Sequence, residues 1–133
     1  MMLALLGACG DPSGAAGDLP PLDPTLDNVF THVFEPGCAV SGCHAQTSMA
    51  GDLDLSSPEA AHAALVDVAA SNELAGLNGW VRVAPGDPDR SFLVRKLERP
   101  GPGEGSAMPS ATQQLDPYYM ALVRDWIAQG AGP

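Results

Sequence analysis

An imidazole follows directly on the second of two thiols in the stretch Cys38-Ala39-Val40-Ser41-Gly42-Cys43-His44. Each thiol of such a pair can form a thioether to one vinyl group of a porphyrin, and the adjacent histidine then lies under the iron. The usual attachment spacing is C-x-x-C-H, whereas four residues separate the two cysteines here. Gly42 eases the turn into Cys43. The stretch therefore predicts covalent haem attachment at Cys38 and Cys43, with His44 as an axial ligand of the iron.

Two other interpretations of the same residues stay open. In an oxidising compartment Cys38 and Cys43 would form a small disulfide, and the chain would be a non-redox binding or structural module. A zinc site would use both cysteines and His44 together with His62 or His32. Zinc takes closely spaced ligand pairs, and an adjacent Cys-His is awkward for a tetrahedron, so haem is the favoured interpretation.

Length and composition indicate a small domain with a thin core of its own. The chain has 133 residues, of which 45% are hydrophobic and only 5% aromatic. This is enough for one domain with a single core. A buried porphyrin would supply the large, flat apolar surface that so few aromatic rings leave missing. A small alanine-rich helical domain is the plainer explanation.

The net charge restricts the kind of partner. Sixteen acidic and six basic side chains give a formal charge of −10, which disfavours nucleic acid and anionic membrane surfaces. The charge permits steering toward a redox protein with a basic docking face, although an acidic surface also simply keeps a protein soluble. Neither a nucleophile–base pair nor a pair of carboxylates is visible in the sequence, so we do not predict an enzyme.

The first 22 residues differ from the rest of the chain. Residues 1–9 end in Leu6-Gly7-Ala8-Cys9, which resembles a bacterial lipobox with Cys9 as the acylated residue; an ordinary apolar N-terminus with an isolated cysteine is the alternative. The run is too short to span a bilayer and lacks the basic start of an export signal, which points to translation starting upstream. A triacylated Cys9 would anchor the protein to a membrane by lipid alone, on the periplasmic or cell-surface side. Residues 10–22 are predicted to be a flexible linker, and residues 23–133 the folded domain.

A capping side chain before a proline occurs four times and predicts four helix starts, since proline at the first helical position gives up a donor that had no partner. The pairs are Asp23-Pro24, Ser57-Pro58, Asp87-Pro88 and Asp116-Pro117. Apolar residues at helical spacing follow the first pair (Leu26, Val29, Phe30, Val33, Phe34) and the last (Tyr119, Leu122, Val123, Trp126, Ile127). Glu35-Pro36-Gly37 and Gly130 are the predicted ends of these two helices. We expect the helices to cross, with Phe30 and Phe34 against Tyr119 and Trp126.

The segments between these helices are less regular. A face of small residues from Ala60 to Ala69 predicts a helix after Ser57-Pro58, and a short helix follows Asp87-Pro88. Asparagine and glycine interrupt the pattern in residues 71–79, and residues 80–83 are predicted to be extended. Trp80 and Arg82 carry donors of the type that hold haem propionates, but a core tryptophan and a surface arginine explain them equally well. Leu53 and Leu55 alternate in a polar loop and predict a short extended piece that lies on the core.

One methionine, Met108, lies in the glycine- and proline-rich loop of residues 101–115. A loop anchor that fills a gap in the core would explain it, but beside a haem motif a thioether ligand to iron is the favoured interpretation. Met49 is the second choice of ligand, because its closeness to His44 in sequence opposes placement on the other side of the iron. His32 and His62 are predicted to be surface residues.

In their order along the chain, these features resemble the c-type cytochrome domain. That family has an N-terminal helix, the haem-attachment motif directly after it, a Met-Pro loop late in the chain and a C-terminal helix. A divergent bacterial branch is more similar still, with a widened C-x4-C-H, an R-V-x-P-G-D-P segment and a W-I-x-x-G-A ending. Residues 82–88 and 126–131 match the last two.

The resemblance implies an all-α, cytochrome c-like fold of about four short helices around one covalently bound haem c, with the N- and C-terminal helices crossing. It implies Cys38 and Cys43 as attachment sites, His44 as the proximal ligand and Met108 as the distal ligand. With both axial positions filled, the iron has no site for oxygen or substrate and is suited to passing single electrons. We therefore expect an electron-transfer protein with redox protein partners.

Overall fold

The computed structural model describes residues 19–109 and 114–133. Over these ranges the chain is mostly helical and forms no strand, and its extended contacts are isolated bridges such as Val66 with Val83. The predicted all-α class is confirmed at this level. The helices are α1 (Leu26–Val29, Phe30–Phe34 and Glu35–Gly37 in succession), α2 (Pro58–Leu65), α3 (Glu73–Leu77), α4 (Phe92–Glu98) and α5 (Pro117–Ala128), with 3-10 turns at Ala50–Asp52 and Pro88–Arg90.

Helix α1 begins two residues later than the Asp23-Pro24 pair predicts. Thr25 is its N-cap, and the Asn28 N–H donates to the Thr25 hydroxyl at 3.3 Å. The Asp23 carbonyl oxygen, rather than the carboxylate, accepts from the Thr25 N–H at 2.8 Å and from Asn28 Nδ2 at 2.9 Å. A threonine cap satisfies the same orphan N–H groups as an aspartate would, so the predicted cap was wrong while the helix itself is present.

Helix α1 ends at Gly37, inside the stretch Glu35-Pro36-Gly37 that was predicted to end it. The turns from Phe30 to Phe34 are π-helical, and the Glu35 N–H donates to the Phe30 carbonyl five residues back. Proline has no N–H and its ring clashes with a carbonyl in a regular α-helix, and a widened turn is one way in which a helix absorbs such a disruption. Helix α1 therefore ends directly before the attachment stretch, whose first residue, Cys38, is its C-cap.

The other capping pairs divide into two that start helices and one that does not. Ser57 Oγ accepts from the Ala60 N–H at 3.1 Å, and Asp116 Oδ1 accepts from the Tyr118 N–H at 2.8 Å, as predicted. Asp87 caps only the 3-10 turn at Pro88–Arg90, and α4 begins after it at Phe92.

Helix α2 is shorter than the predicted apolar face. It ends at Leu65, so Val68 and Ala69 do not lie on it. The backbone leaves the helix to pair with the extended residues 81–83: the Val83 N–H donates to the Leu65 carbonyl at 3.1 Å, and the Arg82 N–H donates to the Val68 carbonyl at 2.7 Å. The extended conformation predicted for residues 80–83 is present as bridges. Tertiary pairing thus overrides the helical pattern after Leu65.

Helix α3 was not predicted. It occupies Glu73–Leu77 inside the segment that asparagine and glycine were expected to break. Asn72 is its N-cap, and its side-chain oxygen accepts from the Ala75 N–H at 3.0 Å. Asparagine is as good an N-cap as serine or aspartate, so the residue interpreted as a breaker is the start of the helix.

The core lies between α1 and α5, which pack against each other. Phe34 and Trp126 are buried in it, with Phe30 and Tyr119 packed against it, so the four residues predicted to pack together belong to one cluster. The ring that stacks on Tyr119 is that of His32, at 5.9 Å between centroids, so His32 is half-buried rather than solvated. Leu55 is buried and Leu53 packs against the core, as their alternation predicts; the buried cluster further includes Leu26, Val29, Val33, Leu65, Val83, Leu122, Val123 and Ile127. Gly130, with φ of +111°, follows the end of α5 as predicted.

The end of the predicted linker touches the folded part. Leu22 packs against the core, and the Tyr118 hydroxyl donates to the Pro20 carbonyl. The lipobox prediction and Cys9 lie outside the described residues. No helix in the described ranges is both long enough and apolar enough to cross a membrane.

Candidate functional site

One cavity of about 670 Å³ is lined by all four predicted haem-binding residues, Cys38, Cys43, His44 and Met108. Its other walls are largely apolar side chains from α1, from the loop after the attachment stretch, from α2 and from α4, among them Phe34, Leu53, Leu65, Phe92, Leu93 and Leu97. The fold thus brings Met108 to the attachment stretch from the far end of the sequence. A pocket of this size and character is typical of cofactor sites, which span roughly 300–1,000 Å³.

The attachment stretch is a closed turn, in spite of its widened spacing. The Cys43 N–H donates to the Val40 carbonyl at 3.0 Å, and the His44 N–H donates to the Cys38 carbonyl at 3.1 Å. Gly42 has φ of +85°, a conformation that favours glycine, and its N–H donates to Ser48 Oγ at 2.7 Å. The residues between the cysteines are therefore folded back on themselves, which brings both cysteines to one cavity.

His44 lies in the cavity wall with 8% of its surface exposed. Its Nδ1 is the one buried side-chain nitrogen or oxygen of the described residues without a hydrogen-bond partner. Burial lowers the pKa of the imidazole, and backbone groups of Leu53 and Ala50 oppose that shift in part. A neutral ring with an unpartnered nitrogen is the form of histidine that binds a metal ion.

The two thiols are free and differ in exposure: Cys38 is half-buried and Cys43 is exposed. Burial, and next to it the charge of Cys43, raises the pKa of the Cys38 thiol to about 11. Cys38 is therefore protonated at neutral pH, whereas zinc binding and disulfide exchange both proceed through a thiolate.

The histidines of the zinc hypothesis have other partners. His62 Nε2 donates to the Ala131 carbonyl at 3.0 Å, and His32 stacks on Tyr119. Within residues 19–109 and 114–133, three or more His, Cys, Asp or Glu side chains nowhere gather in a group that could hold a metal ion. The structure therefore does not assemble the predicted zinc ligands.

The two candidate methionines differ in position but not in exposure. Each has 40% of its surface exposed, but Met108 lines the cavity and Met49 does not. Met49 has φ of 42° and precedes the 3-10 turn at Ala50–Asp52. The Met108 N–H donates to the Lys96 carbonyl at 2.8 Å, which ties the Met108 loop to α4. Of the two methionines, Met108 is therefore the one that the fold brings to the cavity.

Arg82 is a buried member of the cavity wall, with 9% of its surface exposed, and not a surface arginine. Its guanidinium donates to the Ala64 carbonyl at 2.9 Å, the Gly51 carbonyl at 2.7 Å and Ser71 Oγ at 3.0 Å. It therefore ties three segments around the cavity. Trp80 does not line this cavity, and the Arg90 and Arg95 guanidinium groups each lie over its ring, 5.1 Å from the centroid.

Glu104 is a second buried charge that the sequence analysis missed. It lies in the Met108 loop with 4% of its surface exposed. Arg95 Nε donates to Oε2 at 2.8 Å and also contacts Oε1, and the Gly101 N–H donates to Oε1 at 2.7 Å. A carboxylate flanked by glycines in Gly103-Glu104-Gly105 was the available sequence signal.

The free energy of unfolding is expected to depend on Glu104 at acid pH. The hydrogen bond from Arg95 first, and then the Gly101 N–H and the charges of Arg95 and Lys96, lower the pKa of this carboxyl below its ordinary 4.5, against the effect of burial. A lowered folded-state pKa gives stability that is fully present above 4.5 and is lost as the pH falls through the folded value. Glu104→Gln should therefore be less stable than wild type at pH 7, with a difference that shrinks toward pH 3. Denaturant titrations at several pH values measure it, and a difference independent of pH would contradict the assignment.

The chain was compared with family models, with curated proteins and with solved structures, and none of the three comparisons gave a match.

Proposed function

We propose that this protein carries one covalently attached c-type haem and transfers electrons. Cys38 and Cys43 are the attachment sites, and His44 and Met108 are the axial ligands. The observation that carries the proposal is that these four side chains, predicted from sequence, line a single cavity. The resemblance to c-type cytochromes and the order of α1, attachment stretch, Met108 loop and α5 support the same conclusion, with a cytochrome c-like arrangement of the helices.

The residues around the cavity fit a porphyrin in three respects. The walls are largely apolar, the volume of about 670 Å³ is in the range of cofactor pockets, and the imidazole is held neutral. Two cysteines line the same cavity as the imidazole, which is the donor set that haem c uses. Gly42 and Gly51 also line the cavity and add no side chain to it.

A bound haem would supply one-electron redox chemistry, and the protein would set its potential. A thioether ligand and an apolar pocket both favour the ferrous iron relative to bis-histidine ligation in water. The buried guanidinium of Arg82, in the cavity wall, also disfavours the more positive ferric state. With two protein ligands, no coordination position is left for a substrate, so we propose a carrier rather than an enzyme.

The proposed setting follows from the sequence. Acylation at Cys9 would anchor the domain through lipid on the periplasmic or cell-surface side. The net charge of −10 suits a redox protein with a basic docking face as partner.

Covalent attachment can be tested with the three cysteines of the chain. We expect the exported protein to give a pyridine-haem spectrum of c-type and to keep its colour after acid–acetone extraction. Cys43→Ala should give less attached haem or a single-thioether spectrum, and Cys38→Ala with Cys43→Ala should give none. Cys9→Ala is the matched control, since it removes a thiol but should leave the spectrum unchanged. An exported wild-type protein without attached haem would contradict the proposal.

A further inference from the structure

Residues 101–108 of the Met108 loop are wrapped around two cationic side chains of α4, Arg95 and Lys96. Lys96 Nζ donates to the Glu104 carbonyl at 3.1 Å and to the Ser106 carbonyl at 2.6 Å. The Met108 N–H returns a hydrogen bond to the Lys96 carbonyl at 2.8 Å. Residues 101–108 therefore have a conformation fixed by specific contacts, although glycine and proline are frequent in them.

Glu104 is the centre of this arrangement. Its carboxylate is buried, and it is held on one side by Arg95 of α4 and on the other by the Gly101 N–H at the start of the loop. A Cβ on Gly101 would lie 2.6 Å from Arg95 Nη2, and a Cβ on Gly105 would lie 2.9 Å from Lys96 Nζ. The loop approaches the two cations so closely that a side chain at either position would displace the Arg95 or Lys96 group from its present contacts.

The side chain of Met108, unlike its backbone N–H, does little to hold the loop. Its surface is 40% exposed, so burial of the side chain stabilises its position only weakly. A charge-assisted hydrogen bond between Arg95 and a buried carboxylate is among the stronger contacts a loop can make.

We propose that Glu104 is the positioning residue that fixes the Met108 sulfur at the cavity, acting through Arg95 and the backbone of the loop. Only the last step of this proposal, the binding of iron by Met108, rests on the proposed function. The role of Glu104 in ordering the loop is a property of the chain itself and can be measured separately.

The test compares Glu104→Ala and Glu104→Gln with Glu98→Ala in the haem-loaded protein. Glu98 is the matched control because it also takes two hydrogen bonds from an arginine, Arg124, at 2.7 and 3.0 Å, but outside the loop. In Glu104→Ala we expect the far-red absorption of the ferric thioether–iron bond to be lost, with attached haem retained. Glu104→Gln keeps one of the two acceptor oxygens and should therefore lose less of this band. Glu98→Ala should lose none of it.

Native-state hydrogen exchange gives a readout that does not depend on the iron. The Met108 and Gly101 amides should exchange on the order of tenfold faster in Glu104→Ala than in wild type, and at the wild-type rate in Glu98→Ala. If Glu104→Ala does not accumulate, Glu104→Gln carries the same measurement. Unchanged exchange and an unchanged far-red band would overturn the positioning role while leaving the proposed function intact. Wild type without attached haem, but with faster loop exchange in Glu104→Ala, would overturn the function and leave the ordering role standing.

Discussion

Replacing Met108 with leucine is expected to remove the far-red thioether band of the ferric protein and to lower its midpoint potential. Leucine keeps the apolar volume but has no lone pair for iron. The axial ligand is one of the protein's strongest controls on haem potential, which ligand choice moves over roughly 0.8 V. We expect a fall on the order of 0.1 V or more. The covalent haem should remain, because Cys38 and Cys43 are untouched. Spectroelectrochemical titration of the exported protein measures both quantities.

Met49→Leu is the control for this substitution. The two methionines have the same exposed fraction, 40%, so a general effect of losing a surface thioether would appear equally in both variants. Met49 does not line the cavity, and its replacement should leave the band and the potential at wild-type values. If Met108→Leu kept the band and Met49→Leu lost it, the predicted order of the two ligands would be wrong.

The sequence predicted helix faces better than helix ends. A face depends on residues that repeat every three to four positions, and this pattern placed Val29, Val33 and Phe34 of α1 and Trp126 of α5 in the core correctly. An end depends on which tertiary partner competes for the backbone. Helix α2 stops at Leu65 because the next residues pair with residues 81–83, and no local pattern around Leu65 contains that information.

The site residues also divide into those that the sequence predicted and those that it did not. Cys38, Cys43, His44 and Met108 could be proposed from sequence because their chemistry identifies them wherever the chain places them. Their convergence on one cavity is a separate structural finding.

Arg82 and Glu104 could not be assigned from sequence alone, since their partners are not in a local motif. Arg82 binds the Gly51 and Ala64 carbonyls, which any residue type could supply, and Glu104 binds Arg95 across a turn. Buried charges of this kind are held by geometry that exists only after folding.

The contacts of the basic side chains also bear on how the net charge is distributed. Sixteen acidic side chains are only partly offset by the six basic ones, which gives the formal charge of −10. Of these, Arg82 and Lys96 donate to carbonyls around the cavity and Met108 loop, and Arg124 is bound by Asp89 and Glu98. Arg95 also donates to Glu104, so four of the six cations are engaged within the molecule, and the surplus charge is that of the carboxylates. This distribution supports a basic partner in the proposal above.

Replacing Trp126 with alanine is expected to cost about 3–5 kcal/mol of unfolding free energy, the usual range for a fully buried large aromatic residue. Trp126 is 1% exposed and is the largest of the fully buried side chains among the described residues. Its Nε1 donates to the Gly132 carbonyl at 2.9 Å, so the substitution also releases the chain end from the core. Guanidinium titration of the haem-loaded protein, followed by far-UV circular dichroism, measures the loss.

Trp80→Ala provides the matched comparison, because Trp80 is the other tryptophan of the chain and is only half-buried. Its ring is tilted against Phe92 and contacted by two arginines, contacts that are worth about 0.5–1 kcal/mol each at exposed sites. The loss should therefore be clearly smaller than that for Trp126→Ala. Equal losses would mean that the core does not lie between α1 and α5. A larger loss for Trp80→Ala would place the main core at α4, and the cavity would then need a different wall.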